Sequence, residues 1–263
     1  MALRERVSIP LLETLIPGGV RPGTMFLVEF DPASQWLTIA TSLAARFLRD
    51  GGRVTYVACN RPPEDVRSSL EALGVDAKRE FEERKLVIDD WYSAGLSGGR
   101  LASSDGQYGW EPIEGGGRMR SLKVSDLSVE WLKMMKQAFQ PDDVAESWPP
   151  GALGIHESLS EALRFNEENA FAEWMASRAI PNERRAKRIT LHGVATGIHS
   201  ESFYRRMESA TDGLIEVRVL ERENEARDCL RVKSLKGQPR DSRWCEIEIK
   251  PNGEAVLTTR KRT

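Results

Sequence analysis

The feature that most constrains this chain is its rhythm: short apolar runs alternate with amphipathic stretches in units of about 30 residues. Met25 to Phe30 (MFLVEF) follows Pro22-Gly23 and reads as a buried strand. In Gln35 to Arg49 the apolar residues Trp36, Ile39, Ala40, Leu43, Ala44, Phe47 and Leu48 step by three and four, the stripe of a helix. Asp50-Gly51-Gly52 stops it. Val54 to Ala58 is a second strand, Glu64 to Leu73 a second helix, and Leu86 to Ile88, ending in Asp89-Asp90, a third strand. This order predicts right-handed crossovers and a parallel sheet.

Residues 93–121 break the rhythm. They are rich in glycine and lack apolar periodicity, so they read as an exposed excursion. The pattern then resumes with a helix from Leu127 to Phe139, a strand from Ala152 to Ile155, a long helix from Ser160 to Ser177, a strand from Ile189 to Val194 and a short helix around Phe203 to Met207. From Gly213 onward, strands at Leu214 to Leu220, Asp228 to Val232, Trp244 to Ile249 and Ala255 to Leu257 are joined by tight turns. Pro251-Asn252-Gly253 is a hairpin signal, so the last fifty residues read as an antiparallel addition. Too little chain lies on either side of the excursion for two independent sheets, which makes 1–263 a single domain with a 93–121 insertion.

Composition narrows the class. The 38 Lys+Arg nearly balance the 40 Asp+Glu, so bulk charge does not drive binding to nucleic acid. Three cysteines, Cys59, Cys229 and Cys245, without a C-x-x-C exclude a disulfide scaffold or a cysteine-built zinc site and fit a reducing cytosol. The MALRERVSIP start is charged where a signal peptide needs an apolar core, and no apolar run is long enough to span a membrane. The expectation is a cytoplasmic protein with no membrane partner.

Three stretches resemble the RecA-like ATPases of the KaiC type, in particular the single-domain archaeal members. Ile9 to Phe30 (IPLLETLIPGGVRPGTMFLVEF) is similar to the entry into the phosphate loop. Pro62 to Asp76 with Lys85 to Ser93 is similar to the second and third βα units. Asp212 to Glu223 with Leu230 to Gly237 is similar to the closing antiparallel strands. The resemblance implies an α/β fold: a RecA-like three-layer core with a mostly parallel sheet flanked by helices and C-terminal antiparallel strands.

The catalytic motifs of that family are degenerate here. A phosphate loop needs glycines that turn backbone N–H groups toward the anion, a Lys for the β- and γ-phosphates, and Ser/Thr for Mg²⁺. The corresponding stretch is Phe30-Asp31-Pro32-Ala33-Ser34-Gln35-Trp36-Leu37-Thr38. Phe30 and Gln35 stand for the glycines, Trp36 for the Lys and Leu37 for the Mg²⁺ hydroxyl, with Thr38 one position late. Asp31 adds negative charge where a triphosphate would sit. After the second strand Cys59-Asn60 replace acidic residues, and the Walker B-like carboxylate is Glu157.

Each residue also has a plainer reading. Trp36 either stacks on a base or a partner's ring or plugs the vacated pocket as core, and its helix stripe favours core. Glu157 beside His156 is either half of a divalent-ion site or a relic, and one carboxylate with one His is too little for a site. His156, His192 and His199 fall at one sheet edge, as a cluster or as separate hydrogen-bonded residues. Arg231, Lys233 and Lys236 resemble the family's basic finger, which reaches a neighbour's ATP, or form a solvated hairpin face. Arg178, Arg184, Arg185, Lys187, Arg188, Arg205 and Arg206 could touch phosphate backbone but lack interleaved aromatics.

These readings point to a pseudo-ATPase: no cofactor is expected, with ATP or ADP plus Mg²⁺ as the alternative. The expected partners are further copies of the chain or a RecA-like ATPase. A weak nucleotide-binding protein and a single-stranded nucleic-acid accessory protein are the rival classes.

Overall fold

The computed structural model describes residues 6–92, 109–113, 117–121, 149–164, 167–222 and 225–258. Strand β1 (Met25–Phe30) is buried along its whole length, which requires neighbours on both edges and cover on both faces. It pairs in parallel with β7 (Ile189–Ala195) on one side and β8 (Gly213–Arg222) on the other. Beyond β7 come β6 (Leu153–His156), β2 (Val54–Ala58) and β3 (Leu86–Asp90), all parallel. Beyond β8 the antiparallel strands β9 (Glu225–Leu235), β10 (Cys245–Ile249) and β11 (Ala255–Thr258) close that side. Together with β4 (Gly109–Ile113) and β5 (Gly117–Ser121), the described residues form one eleven-stranded sheet.

Alternation along β1 separates two cores. Phe26, Val28 and Phe30 face helix α1 (Trp36–Arg49), with Ile39, Leu43, Tyr56, Ile155 and Leu191 around them. Helices α2 (Pro63–Ala72) and α3 (Ala77–Glu82) contribute Val66, Leu70 and Ala77 to this core. Met25 and Leu27 face the opposite layer, built from α4 (Leu159–Leu163), α5 (Glu168–Trp174), α6 (Ile180–Arg185) and α7 (Glu201–Ala210), where Phe171, Met175, Phe203 and Met207 are buried. The expected three-layer arrangement with C-terminal antiparallel strands is what the chain forms. No described helix is long and apolar enough to cross a membrane.

Three elements differ from the sequence reading. The helix expected over 160–177 is interrupted after Leu163, resumes at Glu168, widens into a π turn over Met175–Ala179 and runs on to Arg185. Pro181 lacks the N–H that a regular α-turn would supply, and the irregular turn lies directly before it. The glycine-rich excursion is not wholly irregular: β5 pairs in parallel with β3, and β4 pairs back on β5. Helix α3 follows no apolar stripe; the Asp76 carboxylate caps it by accepting from the Arg79 N–H. The helix expected over 127–139 lies outside the described residues.

Candidate functional site

The carboxyl ends of β1, β2 and β6 meet beside the start of α1, where an α/β sheet places its ligands. Glu157 follows β6 directly, so alternation turns it to the α1 face, and its side chain is fully buried. Four donors converge on its carboxylate. One oxygen accepts from the Tyr56 hydroxyl at 2.8 Å and the Arg61 Nε at 2.9 Å. The other accepts from the backbone N–H groups of Cys59 and Asn60 at 3.0 and 3.1 Å. A carboxylate offers about four lone-pair sites, and all are taken.

Arg61 is itself held. Its guanidinium donates to the Thr41 hydroxyl, to the Tyr56 oxygen at 3.2 Å and to Ser69 at 3.2 Å. Burial, with the Glu157 charge next to it, raises the Tyr56 hydroxyl well above its ordinary range and keeps it a donor. The same two causes, in the same order, raise the Cys59 thiol, so it is no nucleophile.

Trp36 occupies the space beside this pair. The residue is 1% exposed and its indole N–H donates to the Glu157 carbonyl at 2.7 Å. Phe30 lies against it with ring centroids 6.0 Å apart and planes 22° apart. Thus the residues standing for a phosphate-loop glycine and lysine stack on each other. Burying a Trp removes about 150–250 Å² from water. At about 25 cal/mol per Å² this contributes about 4–6 kcal/mol. Gly193 on β7 makes the fit possible: a Cβ there would lie 2.2 Å from the Glu157 carbonyl oxygen and 2.9 Å from the Trp36 indole nitrogen.

The loop from Asp31 to Gln35 spends its donors internally. Asp31 N–H goes to the Val217 carbonyl, Ser34 N–H to the Asp31 carbonyl and Ala33 N–H to the Asp31 carboxylate. Gln35 N–H, at the head of α1, goes to the Asp228 carboxylate of β9 at 2.9 Å. Pro32 has no N–H, and no residue from Phe30 to Thr38 has a positive φ. Leu37 is apolar, and the Thr38 hydroxyl lies 3.4 Å from the Gln35 side chain. Two protein carboxylates therefore sit where phosphate oxygens would need to bind. These residues do not fit a Mg²⁺-triphosphate.

The remaining predicted residues are dispersed. The Lys236 ammonium donates to the carbonyls of Ser209 and Thr211 at 2.8 and 2.6 Å, closing the end of α7. Lys233 pairs with Glu216 at 3.4 Å, and Arg231 pairs with Glu216 while lying 4.4 Å from the Trp244 ring centre. Arg231, Lys233 and Lys236 thus bond to groups of their own chain.

The three histidines do not form one cluster. His156 and His192 meet edge to face at 4.7 Å on the opposite side of the sheet from Glu157. His199 instead links Glu168 (3.1 Å) to Ser160 (2.8 Å). That chain has the connectivity of a Ser–His–acid relay. The Ser160 oxygen, however, is buried and accepts the Ala195 N–H at 3.0 Å, so the relay fastens the loop after β7. Among the described residues no cluster of three or more metal-ligating side chains occurs.

Sequence reasoning missed Arg61, Tyr56 and Thr41. Arg61 had a signal: a cation directly after Cys59-Asn60 at the end of the second strand. Tyr56 and Thr41 read as ordinary core positions.

An open, mostly parallel sheet with this order and a strand-to-helix turn at its centre defines the RecA-like class of folds. Within it, the chain is similar to the crystal structure of a KaiC-like protein from the hyperthermophilic archaeon Pyrococcus horikoshii OT3. The two superpose with a TM-score of 0.68 over 98% of this chain and 99% of that one, at 18% identity, a likeness of fold. No family model and no curated protein matches the sequence.

Proposed function

We propose that this chain is a pseudo-ATPase on a KaiC/RecA-like fold, a non-catalytic regulatory or scaffolding protein that assembles with itself or with a partner ATPase. The observation that carries the reading is the closed lock of Trp36, Glu157 and Arg61. Trp36 takes the volume of a phosphate, Arg61 takes the charge of Glu157, and Asp31 and Asp228 take the loop N–H groups. A hydrolase needs each of these groups free in the ground state. On this reading no nucleotide or Mg²⁺ is a resident cofactor.

Native mass spectrometry of the purified chain tests both halves of the proposal. The expected spectrum shows assemblies of more than one chain with no nucleotide mass attached. Retained ATP or ADP would overturn the pseudo-ATPase reading. A single-chain mass at every concentration would remove self-assembly and leave the hetero-assembly with an ATPase as the form to be tested by co-purification.

A further inference from the structure

We propose that the amino-terminal edge of the parallel sheet binds the phosphodiester backbone of a nucleic-acid duplex. This edge collects the segments that lead into β1, β7, β6, β2, β3 and β8, at the opposite end of the strands from Trp36 and Glu157. Neighbouring strands lie about 4.8 Å apart, so the row from β1 to β3 is about 19 Å long. Residues 21–24, 50–53, 82–85, 149–152, 182–188 and 211–212 form these segments. They hold eight cations against five acids, in a chain whose total charge is −2.

Main-chain contacts fix the row. Gly23, before β1, packs on the backbone before β7: a Cβ there would lie 3.4 Å from the Arg184 carbonyl oxygen and 3.9 Å from the Lys187 Cα. The Gly151 N–H, before β6, donates to the Lys187 carbonyl at 2.9 Å, and the Leu153 N–H donates to the Arg53 carbonyl at 2.8 Å. The Val54 N–H donates to the Lys85 carbonyl at 2.8 Å, which carries the row on to β3.

Local pairing decides which of these charges face outward unmatched. Lys85 is matched by Glu83, Arg184 by Asp212 and Arg188 by Glu183. Arg21, Arg53, Arg84, Arg185 and Lys187 make no ion pair with a described residue, and all but the half-buried Arg53 are exposed. The acids left over in the same segments are Asp50 and Glu82, at the ends of α1 and α3. Backbone conformation points the same way. Arg84 and Lys187 have φ of 54° and 55°, the left-handed region that is costly for any residue with a Cβ. After α1 and α2 the chain uses Gly51 and Gly74 for this turn. At the two helix ends that feed β3 and β7 it places a cation instead, and strained residues of this kind cluster at functional sites.

The chemistry of the row selects its occupant. Four of the five unmatched cations are arginines, whose forked guanidinium suits phosphate oxygens. The six segments hold no aromatic residue on which single-stranded bases would stack. They also hold no Val, Leu, Ile or Met, and so no apolar anchor for a protein partner or for insertion into a lipid surface. A duplex needs neither, because it presents one charge per about 1.7 Å and its backbone is held by cations alone.

The row is remote from the nucleotide cradle, so its test stands apart from that of the pseudo-ATPase reading. The probe is a fluorescein-labelled DNA duplex of about two helical turns, titrated with the full chain by anisotropy over a salt series. The expected result is saturable binding at about 50 mM salt, with log K falling against log salt at a slope of about −4 to −5, or about 0.9 for each of the five cations. The double variant Arg84→Gly with Lys187→Gly removes two charges and relieves both left-handed turns. It keeps or raises the melting temperature, weakens binding by about tenfold or more and makes the slope shallower by about 2. Arg21→Ser with Arg185→Ser repeats the test at two exposed positions without a left-handed backbone, with the same expected loss. Arg206→Ser, on α7 and outside the row, leaves binding unchanged. Competition by a duplex RNA of the same length also supports the inference and tells which duplex is preferred. Absence of saturable binding at low salt, or binding that both double variants leave unchanged, overturns the proposal. Tighter binding of oligo-dT, of a poly-Glu peptide or of phosphatidylserine vesicles overturns it too, making the row a single-strand, protein or membrane contact.

Discussion

Replacing Glu157 by Gln is the change that separates a structural carboxylate from one kept for chemistry. The amide retains one acceptor oxygen and turns the other into a donor, so two of the four converging donors must face an NH₂ group. If it faces Cys59 and Asn60, two buried backbone N–H groups are orphaned. If it faces Tyr56 and Arg61, the Tyr56 hydroxyl rotates to accept, but the Arg61 Nε–H cannot. The second orientation costs less. It still loses one charge-assisted hydrogen bond outright, at about 1.5–3 kcal/mol, and weakens the bonds that remain. Because Arg61 is partly exposed, water recovers some of its charge. The net expectation is a loss of about 3 kcal/mol. Urea unfolding followed by tryptophan fluorescence measures it directly, and a calorimetric scan should show the melting temperature lowered by about 6–12 °C. Unchanged or increased stability would refute the reasoning. That is the behaviour of a carboxylate held strained for metal or catalysis, where neutralisation relieves repulsion.

Other outcomes follow from the same geometry. Gly193→Ala places a methyl group against the Glu157 carbonyl and the Trp36 ring, and should cost at least about 1–3 kcal/mol in urea unfolding; wild-type stability would mean the contact is not tight. Burial holds His192 down to about 3 and, with His192 and Arg188 adding to it, holds His156 well below the ordinary range. Because the folded-state values are depressed, the unfolded chain takes up protons first. Stability is then full above about pH 6.5 and falls as pH drops toward 3, at up to about 1.4 kcal/mol per pH unit for each His. His192→Phe should remove about one proton's worth of that slope, and an unchanged slope would place the titration elsewhere. Lys236→Ala should lower stability by about 1 kcal/mol through the lost carbonyl contacts at the end of α7 and leave the native mass of the protein unchanged; a change of assembly would restore the finger role.

Much of the fold was legible because buried parallel strands and amphipathic helices leave clear periods. β1 and β2 begin and end where the apolar runs do, and α1 starts at Trp36, the first residue of its stripe and one residue inside the expected Gln35–Arg49. The π turn and the continuation to Arg185 were not legible, since Pro181 reads as a helix stop although a widened turn can carry the chain through it. The departure from a phosphate-loop pattern was plain at Phe30 and Trp36. What fills its place was not, because Glu157 lies about a hundred residues along the chain from Tyr56 and Arg61, and only the sheet order brings the ends of β2 and β6 together. Single-sequence patterns report which face a residue occupies, not which partner it meets there.

The central claim is that this chain's own side chains occupy the nucleotide cradle. Isothermal calorimetry with ATP, ADP and their Mg²⁺ complexes tests it most directly. The account predicts no saturable heat for any of them up to about 1 mM, equivalent to binding weaker than about −4 kcal/mol. A dissociation constant below about 100 μM, or about −5.5 kcal/mol, would contradict it.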